Sequence, residues 1–318
     1  MSDRGMLSRL AESLYWIGRY VERADDTARI IDSYVHRLVE APTSGQDEIV
    51  RSLFSILGVE STASGALTAA DALAVLAYDA ANPSAIAGAL VGAYENARRS
   101  RDIISSEMWV ALNATRLRLP EVQATSLQLG PSTYLQFVRE RAALFLGLAD
   151  STMSRDDAWR FLMLGRSVER MDMTARLLRS RVAGVSGDQD WMAFLRASGA
   201  MEAYMRSSSG LTDGSGIAAF LLIDRLFPRS ILFMVHEAEQ WLKELQSTQL
   251  RTAPSDPIRQ HLVQAATVLE FVQSDDVLFR LHELLDLVEE TCIAVNDRIT
   301  ERFFNRILAV SWTTEGGL

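Results

Sequence analysis

The residues best placed to do chemistry lie in a polar motif that occurs twice in the chain. Each copy carries a glycine, a glutamate, an aspartate and an arginine at spacings of four, three and four residues, so that they share one stripe of a helix. Carboxylates on such a stripe can transfer protons or hold a cation, and arginines can clamp an anion. The two stripes are Gly18, Glu22, Asp25 and Arg29, and Gly165, Glu169, Asp172 and Arg176.

Two interpretations of these stripes stay open. A glycine within a helix costs about 1 kcal/mol relative to alanine, so a glycine on each stripe indicates close approach by another helix or a ligand. In the structural interpretation, glutamates and arginines pair between two central helices and fix their register. The pairs concerned are Glu22 with Arg29 and Glu169 with Arg176, together with the adjacent Arg23 and Arg170. In the functional interpretation, the stripes line a site that binds an anionic or amino-acid-like ligand.

A metal site is the third possibility, because each stripe places two carboxylates three residues apart, as in bundles that hold two metal ions. The Glu-x-x-His pattern of those bundles is absent, and the neighbouring arginines repel a cation. Mg²⁺ or Mn²⁺, which prefer oxygen ligands, fits better than a transition metal that favours imidazole. We expect neither a metal nor another cofactor.

Three further features lack the partners that their chemistry needs. The Ser- and Gly-rich segment 207–216 has no following Gly-Lys-Ser/Thr, so it predicts a mobile connection rather than a phosphate-binding loop. Lys243 is the only lysine, which leaves no plausible P-loop or Schiff-base lysine. Cys292 is the only cysteine and lies in a helical run without a nearby histidine, which predicts a small core residue rather than a nucleophile.

Composition is typical of globular proteins and disfavours some partners. The chain has 318 residues, of which 48% are hydrophobic and 23% charged, and its net charge is −9. This acidic balance disfavours nonspecific binding to nucleic acid or to an anionic membrane surface. No apolar run approaches the ~20 residues of a membrane span, and the first residues lack the apolar core of a signal peptide. We therefore expect a cytoplasmic protein.

Helical patterns run along the whole chain. Apolar residues alternate at spacings of three and four from Leu7 to Leu38, which predicts one long helix that ends near Pro42. Helix starts are predicted at Ser44, Thr68 and Ser154 from capping patterns, and at Asn82-Pro83 and Asp256-Pro257 from proline at a first helical position. Connections are predicted at 41–46, 117–132, 184–188, 207–216 and 251–255. The expected fold is an all-α bundle of long antiparallel helices.

The repeated motif also predicts the domain organisation. Its shared frame is Gly-Arg-x-Val-Glu-Arg-x-Asp-x-Thr-Ala-Arg, which begins at Gly18 and again at Gly165. A coincidence of core packing would not reproduce so many polar positions. The separation of the copies is close to half of the chain, so we infer two related halves, 1–150 and 151–318, within one continuous bundle.

Several segments resemble the alpha-E family, a helical domain named for its Glu-Arg motif. The resemblance covers almost the full length, with Ser167 and Met171 as departures from the pattern that leave its charged frame intact. The segments that carry it are 6–24, Asn82-Pro83-Ser84, Glu95-Asn96-Ala97-Arg98, Ser106-Glu107-Met108-Trp109, Glu169-Arg170 and Phe227-Pro228-Arg229-Ser230.

The resemblance implies partners rather than a reaction. Relatives are encoded beside, or fused to, circularly permuted ATP-grasp proteins and transglutaminase-like cysteine peptidases, which implies a role in chemistry at amide or peptide bonds. The first hypothesis is a helical accessory or substrate-carrying partner of an ATP-grasp ligase. The second is a self-contained enzyme that binds its substrate at the repeated Glu-Arg motif and uses the carboxylates as acid and base. An open pocket at the motif would favour the enzyme, and a closed, mutually paired network would oppose it. The sequence makes no prediction of oligomeric state.

Overall fold

The all-α prediction is confirmed in the part of the chain that the computed structural model describes, residues 8–40, 45–59, 65–182, 191–208, 213–245 and 256–304. Within these ranges there are helices and no strands. Short π-helical turns, Ala74–Tyr78 and Thr300–Phe304, continue α3 and α13. The α-helices are α1 Ser8–Glu40, α2 Gln46–Ile56, α3 Ala69–Leu73, α4 Ile86–Arg99, α5 Ser106–Leu129, α6 Ser132–Thr152, α7 Asp157–Val182, α8 Trp191–Ala197, α9 Met201–Ser207, α10 Gly214–Ile223, α11 Ile231–Leu245, α12 Pro257–Phe271 and α13 Val277–Ile299.

The long helix predicted near the start of the chain is present as α1. Its apolar seam is buried from Leu14 through Ile17 and Val21 to Ile31, as the spacing of three and four residues requires. α1 packs against α7, and the two helices run in the same direction, because Gly18 meets Leu162 while the later Glu22 meets Arg170. The parallel arrangement of this central pair departs from the expected antiparallel bundle.

The α5–α6 hairpin does follow the antiparallel expectation. Near its open end the Thr152 hydroxyl donates to the Ser105 hydroxyl, and nearer the turn Arg141 donates to the Thr115 hydroxyl. The connection predicted over 117–132 is wrong, because α5 continues through Pro120 to Leu129. Side chains on both sides of this proline are buried in the core, so packing outweighs the hydrogen bond that proline removes.

Of the other predicted helix starts, two are confirmed and two are wrong. Thr68 accepts from the Asp71 amide at the start of α3, as the capping pattern predicts. α12 begins at Pro257, as proline at a first helical position predicts, and Asp256 accepts from the Ile258 amide there. The start predicted at Ser154 is wrong, because Asp156 caps α7 instead. The start predicted at Asn82-Pro83 is also wrong, because α4 begins at Ile86. Ser44 and the connections at 184–188 and 251–255 lie outside the described residues.

The core joins both predicted halves of the chain. One buried cluster contains residues of α1, such as Ala24 and Ala28, together with Val168 and Met171 of α7. The division into 1–150 and 151–318 therefore stays a prediction about related halves, and they share a core. Among the described helices, none combines the length and the apolarity needed to cross a bilayer.

Candidate functional site

The two motif glycines let α1 and α7 touch backbone to backbone. A Cβ atom added at Gly18 would lie 2.1 Å from the carbonyl oxygen of Leu162, and one added at Gly165 would lie 2.0 Å from the carbonyl oxygen of Tyr15. Real Cβ atoms do not approach oxygen this closely, so a side chain at either position would force the helices apart. The close approach inferred from the sequence is therefore an approach between helices.

Beside this contact, Glu22 is enclosed by three arginines. Its carboxylate accepts from Arg170 Nε at 2.5 Å and from Arg166 Nε at 3.2 Å, and it lies 3.2 Å from Arg229 Nη1. The residue has no exposed surface. A buried carboxylate is tolerated at such a position because its charge is fully paired.

Glu169 occupies the matching position on α7. Its carboxylate accepts from Arg19 Nε at 2.6 Å and from Arg23 Nε at 2.5 Å, and the residue is 1% exposed. Each helix therefore donates arginines to the glutamate of the other. We call the Glu22 and Glu169 carboxylates with Arg19, Arg23, Arg166 and Arg170 the reciprocal Glu-Arg network.

Two backbone carbonyls complete this network. Arg23 Nη1 donates to the carbonyl oxygen of Pro83 at 3.3 Å, and Arg170 Nη1 donates to that of Pro228 at 3.1 Å. The first proline precedes α4 and the second precedes α11. Each arginine thus joins the central pair to an outer helix.

The remaining residues of the two stripes pair within their own helices. Arg29 Nε donates to Asp25 at 3.0 Å, and Arg176 Nε donates to Asp172 at 3.1 Å. These contacts replace the Glu22–Arg29 and Glu169–Arg176 pairs considered from the sequence. The Asp172–Arg176 pair is the more open of the two, since the Arg176 side chain is 40% exposed against 20% for Arg29.

Asp26 turns the first stripe into an acidic cluster. Glu22, Asp25 and Asp26 each offer a carboxylate oxygen within 4.8 Å of the others, and all three residues are buried. Arg229 pairs with all three. Two buried oxygens, Asp25 Oδ1 and Asp26 Oδ2, have no hydrogen-bond partner among the described residues. A metal ion here would have to share the carboxylates with a fixed guanidinium, so these residues fit a cation poorly.

Burial and charge act in opposite directions on the pKa values of these groups. Burial disfavours ionised Glu169, but the positive charges of Arg19 and Arg23 outweigh it and lower the pKa of this carboxyl to about 2. The same balance, with Arg170, Arg229 and Arg166, holds the pKa of Glu22 well below its usual range.

The pKa of Asp26 is raised, whereas those of Glu22 and Glu169 are lowered. Burial and the nearby carboxylates of Glu22 and Asp25 raise its pKa to about 7, despite the opposing charge of Arg229. The cluster therefore contains a buried carboxyl that changes protonation near neutral pH.

Sequence analysis missed three arginines that hold the site together. Arg19 and Arg166 belong to the repeated frame, three residues before each glutamate, and this spacing was the available signal. Arg229 lies in the Phe-Pro-Arg-Ser segment, far from the motif in sequence, and no spacing rule connects it to Asp26. Cys292 is buried, as expected for a core residue.

Comparison with known proteins identifies a family that is described by a Glu-Arg motif. A family model named Alpha-E, described as a predicted alpha-helical domain with a conserved ER motif, matches residues 6–304. Uncharacterized proteins of Mycobacterium bovis and Mycobacterium tuberculosis are each 27% identical to this chain over 323 aligned positions. The alignment covers 92% of this chain and 36% of each relative, so the chain spans about a third of their length. No solved structure matches it significantly. With a family model that covers nearly its whole length and with the Glu-Arg pairs at its centre, the chain belongs to the Alpha-E family.

Proposed function

We propose that this chain acts in the cytoplasm as a helical accessory subunit of a system that makes or breaks amide or peptide bonds. Its catalytic component would be an ATP-grasp ligase, and a transglutaminase-like peptidase would be a second member. These partner classes come from the family resemblance. The structure bears on the role of this chain within such a system.

One observation carries the proposal: both motif glutamates are closed off from solvent and paired with arginines of the facing helix. A carboxylate that acts as general base must reach a substrate proton within hydrogen-bond distance. Glu22 and Glu169 use their oxygens to bind arginines instead. This favours a scaffold over an enzyme with its active site at the motif.

The curated relatives add independent support. They extend well beyond the region that aligns with this chain, which accounts for 36% of their length. A domain that serves as one part of a longer polypeptide is suited to working beside other components. The mycobacterial proteins are themselves uncharacterized, so they name no activity.

The α5–α6 hairpin is where we place the contact with the ligase. Val110 and Leu117 on α5 and Leu144 on α6 are 61%, 63% and 42% exposed. Val110 and Leu144 line one groove between these helices. Exposed apolar side chains gathered on one face are typical of surfaces that bind another protein.

The test is reconstitution with an ATP-grasp protein from the same genome. The two chains are co-expressed, with a tag on this one, and the complex is isolated by size-exclusion chromatography. Ligase turnover is measured as ADP release with and without this chain. We expect a stoichiometric complex and faster turnover than with the ligase alone.

Charge substitutions show whether the contact uses the proposed face. Leu117→Asp should abolish the complex, whereas Phe279→Asp, at a 93% exposed position on α13, should leave it intact. Failure of the two proteins to associate would contradict the accessory role, as would turnover of a substrate by this chain alone.

A further inference from the structure

A cavity of about 530 Å³ lies between the amino-terminal half of α1 and the end of α4. No residue of the reciprocal Glu-Arg network lines it, although the rings of Trp16 and Tyr20 in its wall each lie 5.5 Å from a guanidinium carbon of that network. Two arginines, a glutamate, an asparagine and two aromatic rings face the same space. They are Arg9, Glu12, Trp16 and Tyr20 from α1 and Asn96 and Arg99 from α4.

The charged groups of this cavity have no partner among the described residues. Arg9, Glu12 and Arg99 are exposed, and none of them takes part in an ion pair or hydrogen bond found for the described residues. By contrast Arg98, the residue before Arg99, forms an ion pair with Glu95 at 2.9 Å. Within the described residues, two arginines and one glutamate thus face one space without a partner, and the net positive charge favours an anion there.

The matching place on the other side of the central pair is bridged by an ion pair. Arg23 binds the carbonyl group of Pro83 in front of α4, and Arg170 binds that of Pro228 in front of α11, so α4 stands to α1 as α11 stands to α7. Between α7 and α11, Arg160 pairs with Glu244 at 3.0 Å. The surface between α7 and α11 therefore pairs its arginine with a carboxylate, whereas Arg9 and Arg99 between α1 and α4 have no such partner among the described residues.

Aromatic rings give the cavity an apolar wall. The rings of Trp16 and Tyr20 lie 5.4 Å apart between centroids and are both half-buried. Gly92 on α4 makes room for Tyr20, since a Cβ added there would lie 2.9 Å from the ring. Such a wall suits the carbon skeleton of an organic ligand better than a bare inorganic anion.

We propose that this cavity binds an acidic α-amino acid, which carries two carboxylates and one ammonium group. The two carboxylates match the guanidinium groups of Arg9 and Arg99, which can bind them with paired hydrogen bonds. The ammonium group matches Glu12, and the aliphatic chain packs on Trp16. A nucleoside polyphosphate fits less well, because its excess negative charge would meet the Glu12 carboxylate. This proposal concerns the isolated chain and does not rest on the ligase partner.

The experiment is a calorimetric titration of the full chain with L-glutamate as the probe. Glutarate lacks the ammonium group, L-glutamine lacks the second carboxylate, and ATP tests the nucleotide alternative. We expect L-glutamate to bind and both analogues to bind at least about tenfold more weakly, as for the loss of one charge-assisted hydrogen bond. Absence of L-glutamate binding at millimolar concentrations, or tighter binding of ATP to the same cavity, would overturn the proposal.

Matched variants locate the binding and separate its parts. Arg99→Gln should weaken L-glutamate binding about tenfold or more, and Arg98→Gln should not change it. Both arginines are exposed, so neither change should affect folding, which circular dichroism checks. Glu12→Gln should weaken binding of L-glutamate but not of glutarate. Equal effects of Arg99→Gln and Arg98→Gln, or an unchanged affinity in Glu12→Gln, would contradict the assignment.

Discussion

Glu22 of α1 accepts a hydrogen bond from Arg170 of α7 at 2.5 Å, across 148 residues of sequence. Neither residue has an adequate partner on its own helix, so each depends on the other helix for its charge to be tolerated in the core. The Glu169 side repeats this dependence with Arg19 and Arg23. Ion pairing and helix contact are thus parts of one interaction.

Removal of Glu22 should destabilise the fold strongly. Glu22→Ala leaves the buried guanidinium of Arg170 without a carboxylate, which should lower the free energy of unfolding by about 3–5 kcal/mol. Urea denaturation followed by circular dichroism measures this change. The exposed Glu283→Ala variant, which loses a surface pair with Arg280, should unfold like the wild type. Similar midpoints for both variants would show that the buried pair contributes little.

Replacement of a glycine by alanine should lower stability at the contact between α1 and α7 but not at an open position of another helix. Gly165→Ala places a methyl group on the Tyr15 carbonyl oxygen, so α1 and α7 must separate and the protein should lose stability. Gly147→Ala, within α6 and with open space around it, should stabilise by about 0.5–1 kcal/mol. Melting temperatures of the two variants should therefore move in opposite directions. A stabilised Gly165→Ala variant would contradict the close backbone contact.

Asp26 should make stability fall as pH rises towards neutrality. Its pKa is raised from an ordinary value of 3.8 to about 7, so between these values the folded protein holds a proton that the unfolded chain releases. Stability from this group is present in full below about pH 4 and is lost as pH rises through 7. Asp26→Asn cannot titrate, so its stability relative to the wild type should increase over this range.

Denaturation at several pH values between 4 and 8 measures this difference. The exposed Asp275→Asn variant is the control, because it removes a carboxylate from the surface. Parallel pH curves for wild type and Asp26→Asn would show that the carboxyl of Asp26 titrates at its usual pKa.

The Glu169 carboxyl should give the opposite dependence at acid pH. Its pKa is lowered from 4.5 to about 2, so its contribution is present above pH 4.5 and is lost as pH falls through 2. Glu169→Gln should therefore be less stable than the wild type at pH 5, and the difference should shrink towards pH 2. Thermal unfolding at pH 5 and pH 2.5 tests this, and a constant difference would count against the lowered pKa.

Cys292 should be inert in the folded protein. Burial raises the pKa of its thiol well above the usual range, and the residue is 5% exposed, so little reactive thiolate is available. Iodoacetamide at pH 8 should label Cys292 in urea but not in buffer, as mass spectrometry would show. Rapid labelling of the native protein would require an accessible thiolate.

Local patterns in the sequence predict the elements of this fold better than their ends. The spacing of apolar residues predicts α1, a hydroxyl-carboxylate capping pattern predicts the start at Thr68, and proline at a first helical position predicts the start at Asp256-Pro257. These signals act within one turn. Pro120 misleads because the packing that keeps α5 continuous comes from neighbouring helices. Proline before α4 misleads for a related reason, since the Pro83 carbonyl oxygen is held by Arg23 outside the helix.

The candidate site is predictable in its residue types but not in its pairings. The repeated frame indicates that glutamates and arginines meet between helices. Which arginine meets which glutamate depends on the direction and offset of α1 and α7, and a parallel pair brings Arg19 rather than Arg176 to Glu169. Arg229 lies in a distant segment of the sequence, so no local pattern predicts its pairing with Asp26.

The reciprocal Glu-Arg network also has a mechanical consequence. To slide along its neighbour, α1 would have to break the pairs at Glu22 and at Glu169 in the same movement, so the two helices resist shear together. With 33 residues, α1 is one continuous helix of about 50 Å. The cavity near its first turns and the helices around its far end are held at a fixed separation, so a load applied at one end is transmitted to the other rather than absorbed between them.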